Sequence, residues 1–222
     1  MRLSSHKTVA VLIFLLLLAG SAFANSVTLT FEHGTGSGIG GGAVYPYLLS
    51  VNGSRTPTYL LCDSYDNNIT KGESWTATVK PFLQGIATSL FGPSMTLDYK
   101  AAGLIFKSML AGNFTAAQAN WAIWGLFSTT ATQQKQFKEE NGAAIDAEFL
   151  TLAQTAKNSA FSGLLLYTPI PGTQTLGGKP CCGTPQEFIG YTSAVPEPGS
   201  LLLMGTGLVG LAGIIRRKLA KS

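Results

Sequence analysis

Charge is scarce in this chain: 12% of its 222 residues are Asp, Glu, Lys or Arg. Histidine is scarcer, with two copies, His6 and His33. Cysteine occurs three times, as Cys62, Cys181 and Cys182. Each shortage excludes chemistry. With no His cluster and no Cys-x-x-Cys spacing, no metal site is expected. Asp63 and Asp66 do not follow the spacing of a calcium-binding EF-hand loop. No Ser-His-Asp arrangement can be assembled around His33, and no cofactor motif is present. The stretch Gly34-Thr-Gly-Ser-Gly-Ile-Gly-Gly-Gly42 opens no helix and lacks a terminal Lys-Ser/Thr, so it reads as a loop and not a phosphate cradle. A glycosidase needs two carboxylates about 5–9 Å apart across a cleft. Spacing alone sets no such pair, so no enzyme is expected, and a glycan-active enzyme stays as an alternative.

The formal net charge of +4 belongs to the ends. Of the 15 Lys and Arg, Arg2, Lys7, Arg216, Arg217, Lys218 and Lys221 lie outside the central stretch. From Asn25 to Ala194, nine basic residues face ten acidic ones. That body is nearly neutral and has no basic stripe, which argues against nucleic acid as a partner.

What the ends do have is apolar sequence. Arg2 and Lys7 precede an apolar run from Val9 to Ala19 and the small-x-small triplet Ala22-Phe23-Ala24. This is the pattern of a secretory signal peptide over residues 1–24, with cleavage leaving Asn25 as the first residue. Near the other end, Ser200 to Ile215 carries no charge. As a helix its roughly 16 residues reach about 24 Å, enough for a single transmembrane helix with some local thinning of the bilayer. Arg216, Arg217 and Lys218 follow directly and would stay cytoplasmic, leaving the body outside the inner membrane.

The order Pro196-Glu197-Pro198, short apolar helix, Arg216-Arg217-Lys218 resembles the PEP-CTERM sorting signal of Gram-negative bacteria. The resemblance covers residues 195–222. It implies an exosortase, an integral-membrane processing protease, as partner. It also implies contact with the membrane through the C-terminal helix before processing, and delivery to the cell surface or exopolysaccharide matrix.

The body, residues 25–194, is long enough for one domain. Alternation marks strands at Val27–Phe31 and Glu73–Lys80. Ala43–Val51 and Thr58–Asp63 read as further strands, separated by the turn signal Asn52-Gly53. These four are expected to form a meander. Thr96–Leu110 and Ala144–Asn158 carry helical apolar stripes. Thr115 to Phe127 is a helix with capping-box spacing, Thr115 to Gln118, and is apolar almost all round. Leu164–Tyr167 and Glu187–Thr192 are the last strands, flanking a loop from Gly172 to Pro185. The expected fold is α+β: an antiparallel sheet or partial barrel packed against two or three helices. Its core is expected on Trp121, Trp124, Ile105 and the inward residues of Thr58–Asp63.

Three cysteines leave one thiol over. Cys62 could pair with Cys181 or Cys182, closing a loop worth up to ~4–5 kcal/mol, or the adjacent two could pair. Tyr59-Leu-Leu-Cys62-Asp63 followed by Asn120-Trp-Ala-Ile-Trp124 resembles two motifs of bacterial thioester domains. The resemblance implies an internal thioester at Cys62 and a covalent adhesin, although Asn120 stands where that family has Gln; the alternative is that Cys62 is a buried small residue or half of a disulfide and that Asn120 hydrogen-bonds the backbone of the sheet. The same segments, with Pro185-Gln-Glu-Phe188, also resemble the bodies of many PEP-CTERM proteins. The leading expectation is an exported, exosortase-sorted surface or matrix protein with a structural or adhesive role.

Overall fold

The computed structural model describes residues 26–35 and 43–192. The residues of both expected targeting segments lie outside this range. Six strands close into an antiparallel barrel: β1 (Ser26–Thr35), β2 (Val44–Val51), β3 (Thr58–Cys62), β4 (Glu73–Pro81), β5 (Leu164–Pro169) and β8 (Phe188–Tyr191). Around the barrel the order is β1-β2-β3-β8-β5-β4, and β4 pairs back onto β1. A short hairpin, β6 (Thr175–Leu176) and β7 (Lys179–Pro180), hangs on the start of β4.

The expected strands are present, but their connection differs. A meander would set β4 beside β3. Instead β4 lies beside β1, with Leu29 opposite Trp75, giving the Greek-key order 4-1-2-3. Closure pairs every barrel strand on both sides, so none of the six is left as an exposed edge. Between β2 and β3, Asn52 (φ 51°) and Gly53 (φ 72°) form the signalled turn. The Asn52 backbone N–H donates to Thr28 O at 2.8 Å, and its Oδ1 accepts from Thr28 N–H at 2.9 Å, so the turn is pinned to β1.

Strand patterning follows how many faces are covered. β1 and β4 alternate because one face looks into the barrel. Leu29, Phe31, Trp75 and Ala77 are buried there with Tyr47, Leu49, Leu60, Cys62, Tyr167 and Phe188. β3, β5 and β8 are apolar on both faces because helices pack on their outside, where Leu61, Leu164, Leu166 and Ile189 meet them.

Three main helices make that layer: α1 (Thr96–Leu110), α2 (Ala116–Phe127) and α3 (Gly142–Thr155). α2 opens with the capping box its sequence signals. Gln118 N–H donates to Thr115 Oγ1 at 3.1 Å, and Thr115 N–H donates to Gln118 Oε1 at 3.0 Å. Tyr99, Ile105, Phe106, Ile123, Phe149 and Leu164 lie in the barrel–helix core. Trp121 and Trp124 do not. They form a separate aromatic cluster with Val44, Ala131 and Phe137. An all-round apolar helix fills two cores at once, and periodicity cannot say which residues enter which.

Gly190 sits on β8 between β3 and β5. A Cβ there would come 2.8 Å from Leu60 Cδ2 and 2.8 Å from Tyr167 Cε2. Gly190→Ala is expected to cost about 1–3 kcal/mol by overpacking the strand that closes the barrel. Urea unfolding should show a lower midpoint with an unchanged slope.

Candidate functional site

Three segments far apart in sequence meet where β3 ends. Cys62 pairs with Phe188, Asp63 N–H donates to Glu187 O at 3.3 Å, and Glu187 N–H donates to Ser64 Oγ at 2.9 Å. From α2, Asn120 Nδ2 donates to Cys62 O at 2.9 Å, while Asn120 Oδ1 accepts from Tyr45 N–H at 2.7 Å. One fully buried carboxamide therefore ties the helix to two strands. The carbonyl on one side and the N–H on the other fix which way the amide points.

This geometry places Cys62 and Asn120 together but assigns them no covalent chemistry. The carboxamide bonds the Cys62 carbonyl, and both its ends are engaged. The Cys62 thiol is free and buried, and it points to Ser64 O at 3.6 Å. Burial, and then the Asp63 carboxyl, push it up to about 12, so it stays protonated at neutral pH and is no nucleophile. The resemblance to thioester-type surface domains finds no support here.

Beside Cys62 lies a feature the sequence did not signal, a pair of buried acids. Asp63 and Glu187 are both fully buried. Glu187 is well supplied. Tyr99 OH donates to Oε1, Thr168 Oγ1 donates to Oε2 at 2.6 Å, and Leu90 N–H donates to Oε2 at 2.9 Å. Neither Asp63 oxygen has a donor among the described residues. Its neighbour is another acceptor, so only a proton can join the two carboxyls. Burial first, and then the Glu187 charge, hold Asp63 well above the usual carboxylate range; burial also raises Glu187. Both shifts favour the pair holding a proton between them, and the Tyr99 hydroxyl, itself raised by burial, stays a donor.

Outside this knot is an open cleft of about 540 Å³. Tyr65 packs on Trp121 and Trp124, with ring centroids 5.5 and 5.3 Å away, and the two indoles meet edge to face at 5.0 Å. Exposed Asp66 and Asn68 and buried Gln186 supply the polar wall. Gln186 Nε2 donates to Asn67 O, whereas its Oε1 and Trp124 Nε1 are buried with no partner among the described residues.

Cys181 and Cys182 are bonded to each other, which leaves Cys62 as the odd thiol. His33 is exposed on β1. Ala22, Ala24 and Asn25 lie outside the described residues, as do Pro196, Glu197, Pro198, Arg216, Arg217 and Lys218. Among the described residues no helix is long and apolar enough to cross a membrane.

A self-contained barrel with a helical layer, followed by a short tail, is the arrangement on which the comparisons with known proteins bear. The PEP-CTERM protein-sorting motif is matched at residues 194–218. That motif marks exported proteins sorted to the surface or envelope and processed by an exosortase. No curated protein and no solved structure matches the chain.

Two outcomes test the knot. Asn120→Ala strands the Tyr45 N–H and the Cys62 carbonyl in the interior, at about 1–3 kcal/mol each. Chemical unfolding should show a loss of roughly 2–6 kcal/mol. The carboxyl pair adds a pH dependence. In the unfolded chain both acids ionise near pH ~4, and in the folded chain their pKa values are raised. The stability they contribute is therefore full below pH ~4 and is lost as pH rises through the folded values. Asp63→Asn should flatten that fall, read as Tm against pH. Asp146, raised to about 8 by burial and then by Asp98, contributes a separate slope in the same direction up to that pH. The variant leaves that slope in place.

Proposed function

We propose that the chain is an exported, exosortase-sorted protein of the cell surface or exopolysaccharide matrix, with a structural or adhesive role. The observation that carries this reading is the sorting motif at residues 194–218, following a domain whose last strand ends at Tyr191. The contact face is the cleft formed by Tyr65, Trp121, Trp124, Asp66, Asn68 and Gln186. Aromatic walls with a few fixed polar groups are the usual makeup of a ligand site. Trp121 and Trp124 are 4% and 2% exposed and back the cleft, so the half-buried ring of Tyr65 is the aromatic surface a pyranose meets, and carboxylate and amide groups suit its hydroxyls. The near-neutral body favours a neutral glycan over an anionic one.

The cleft supports binding rather than catalysis. Among the described residues Asp66 is the one carboxylate lining it, and a glycosidase needs two. The Asp63–Glu187 pair is sealed from solvent. An electrophilic thioester is not needed for adhesion of this kind.

The test uses the full chain in its native host. Replacing Pro196 and Pro198 by Ala should leave the protein in the inner-membrane fraction and deplete it from the surface and matrix. Unchanged distribution would remove the sorting reading. Separately, Asp66→Ala with Asn68→Ala alters two exposed side chains without touching the core. It should lower retention on the host's neutral matrix polysaccharide about tenfold, the scale of one or two lost hydrogen bonds. Equal retention would move the contact away from the cleft.

A further inference from the structure

Away from the cleft, the β6–β7 hairpin brings three metal-ligating side chains to one point. A carboxylate oxygen of Glu73 and the sulfurs of Cys181 and Cys182 all lie within 4.8 Å of one another. The backbone explains why. Gly177 (φ 59°) and Gly178 (φ 75°) make a two-residue turn that only left-handed conformations allow. The turn folds β7 back on β6, and β6 sets Leu176 opposite Glu73. Cys181 N–H then donates to Gln174 O at 3.1 Å, and Cys182 adopts a left-handed φ of 62°.

Glu73 is 3% exposed, an uncommon setting for a carboxylate. Gln174, itself 2% exposed, holds one of its oxygens: Nε2 donates to Glu73 Oε2 at 2.9 Å. The other, Oε1, lies 3.1 Å from Cys182 Sγ. A disulfide sulfur carries no proton, so in the bonded state this oxygen faces an atom that cannot donate to it. The Gln174 Oε1 is also buried without a partner among the described residues. Buried oxygens without donors are costly. The Glu73 oxygen lies beside two sulfurs, one half-buried and one exposed.

We propose that Glu73, Cys181 and Cys182 form a redox-gated site for one thiophilic divalent cation of the zinc or cadmium type. A thiol or phosphine reductant breaks the Cys181–Cys182 bond, and two electrons and two protons give two thiols. The cation displaces both thiol protons to solvent and binds two thiolates. The Glu73 carboxylate is the third ligand, and Gln174 orients it from behind, as outer partners of metal ligands do. The fourth position opens to solvent on the side of exposed Cys182. Soft thiolates select zinc-like over magnesium-like cations. A disulfide oxidant reverses the sequence: the sulfurs rejoin, the oxidant takes two electrons, and the cation leaves. Local sequence spacing could not show this site, because its carboxylate lies on another strand and its cysteines are adjacent rather than spaced.

The test is a cadmium titration of the purified full-length chain, reduced by phosphine and freed of it without air. The reduced protein should bind one cation with the ultraviolet thiolate-to-cadmium band, and the oxidised protein should show none. Cys182→Ser should abolish the band and Cys62→Ser should leave it. Glu73→Gln should keep the band but weaken binding about tenfold or more. X-ray absorption of the zinc-loaded reduced wild type should find two sulfurs at about 2.3 Å and oxygen at about 2.0–2.2 Å. That measurement decides alone if Glu73→Gln does not fold. Overturning results are no band in the reduced wild type, a band that depends on Cys62, unchanged affinity in folded Glu73→Gln, or a coordination shell without two sulfurs.

Discussion

The Asn120 carboxamide is satisfied only when a helix and two strands are all in place. Its oxygen takes the N–H of Tyr45 on β2, and its nitrogen gives to the carbonyl of Cys62 on β3. One residue further along the chain, Asp63 turns its carboxyl toward Glu187, just before β8. Glu187 in turn collects Tyr99 from α1, Thr168 from β5 and the Leu90 backbone. Apolar packing is non-directional and could be met by several arrangements of barrel against helices. These polar contacts cannot, since a shift of one position would bury donors and acceptors unpaired. The knot therefore sets which face of α2 looks at the barrel, and so which residues remain for the outer aromatic cluster.

That division has a functional consequence. Ile123 and Ala122 enter the barrel–helix core, which leaves Trp121 and Trp124 to pack with Tyr65 at the cleft. The same connection that holds the fold thus sets the two buried indoles behind Tyr65, the half-buried ring of the proposed glycan contact. The cysteine–glutamate cluster rests on a different device, the hairpin on β4.

The legibility of these features in the sequence followed how local their causes are. α1, bounded as expected at Thr96 and Leu110, and the Thr115–Gln118 cap depend on neighbours three and four residues away. The alternation of Ser74, Trp75, Thr76 and Ala77 marked a one-sided strand for the same reason. What β4 pairs with is not local, and the Greek-key return onto β1 left no trace that a meander would lack. The Asp63–Glu187 pair was hidden because two acids 124 positions apart read as surface residues until the fold buries them. Cys62 and Asn120 were legible as neighbours, and Asn120 as an amide bonding the backbone of the sheet; the geometry adds that its partners are the Cys62 carbonyl and the Tyr45 N–H. The stretch from Gly172 to Pro185 read as a loop, but its Gly177-Gly178 pair makes a hairpin, and that hairpin carries the cysteine pair to Glu73.

The account rests on a proton held between Asp63 and Glu187 at neutral pH. The direct measurement is the infrared carboxyl region of the full-length protein at neutral pH, compared with Asp63→Asn. The account predicts a protonated carboxylic-acid C=O component in the wild type that is lost in the variant, because the carboxyl that holds the shared proton is gone, while the component from Asp146, raised to about 8, remains in both. Identical spectra, with both acids ionised in the wild type, would contradict it.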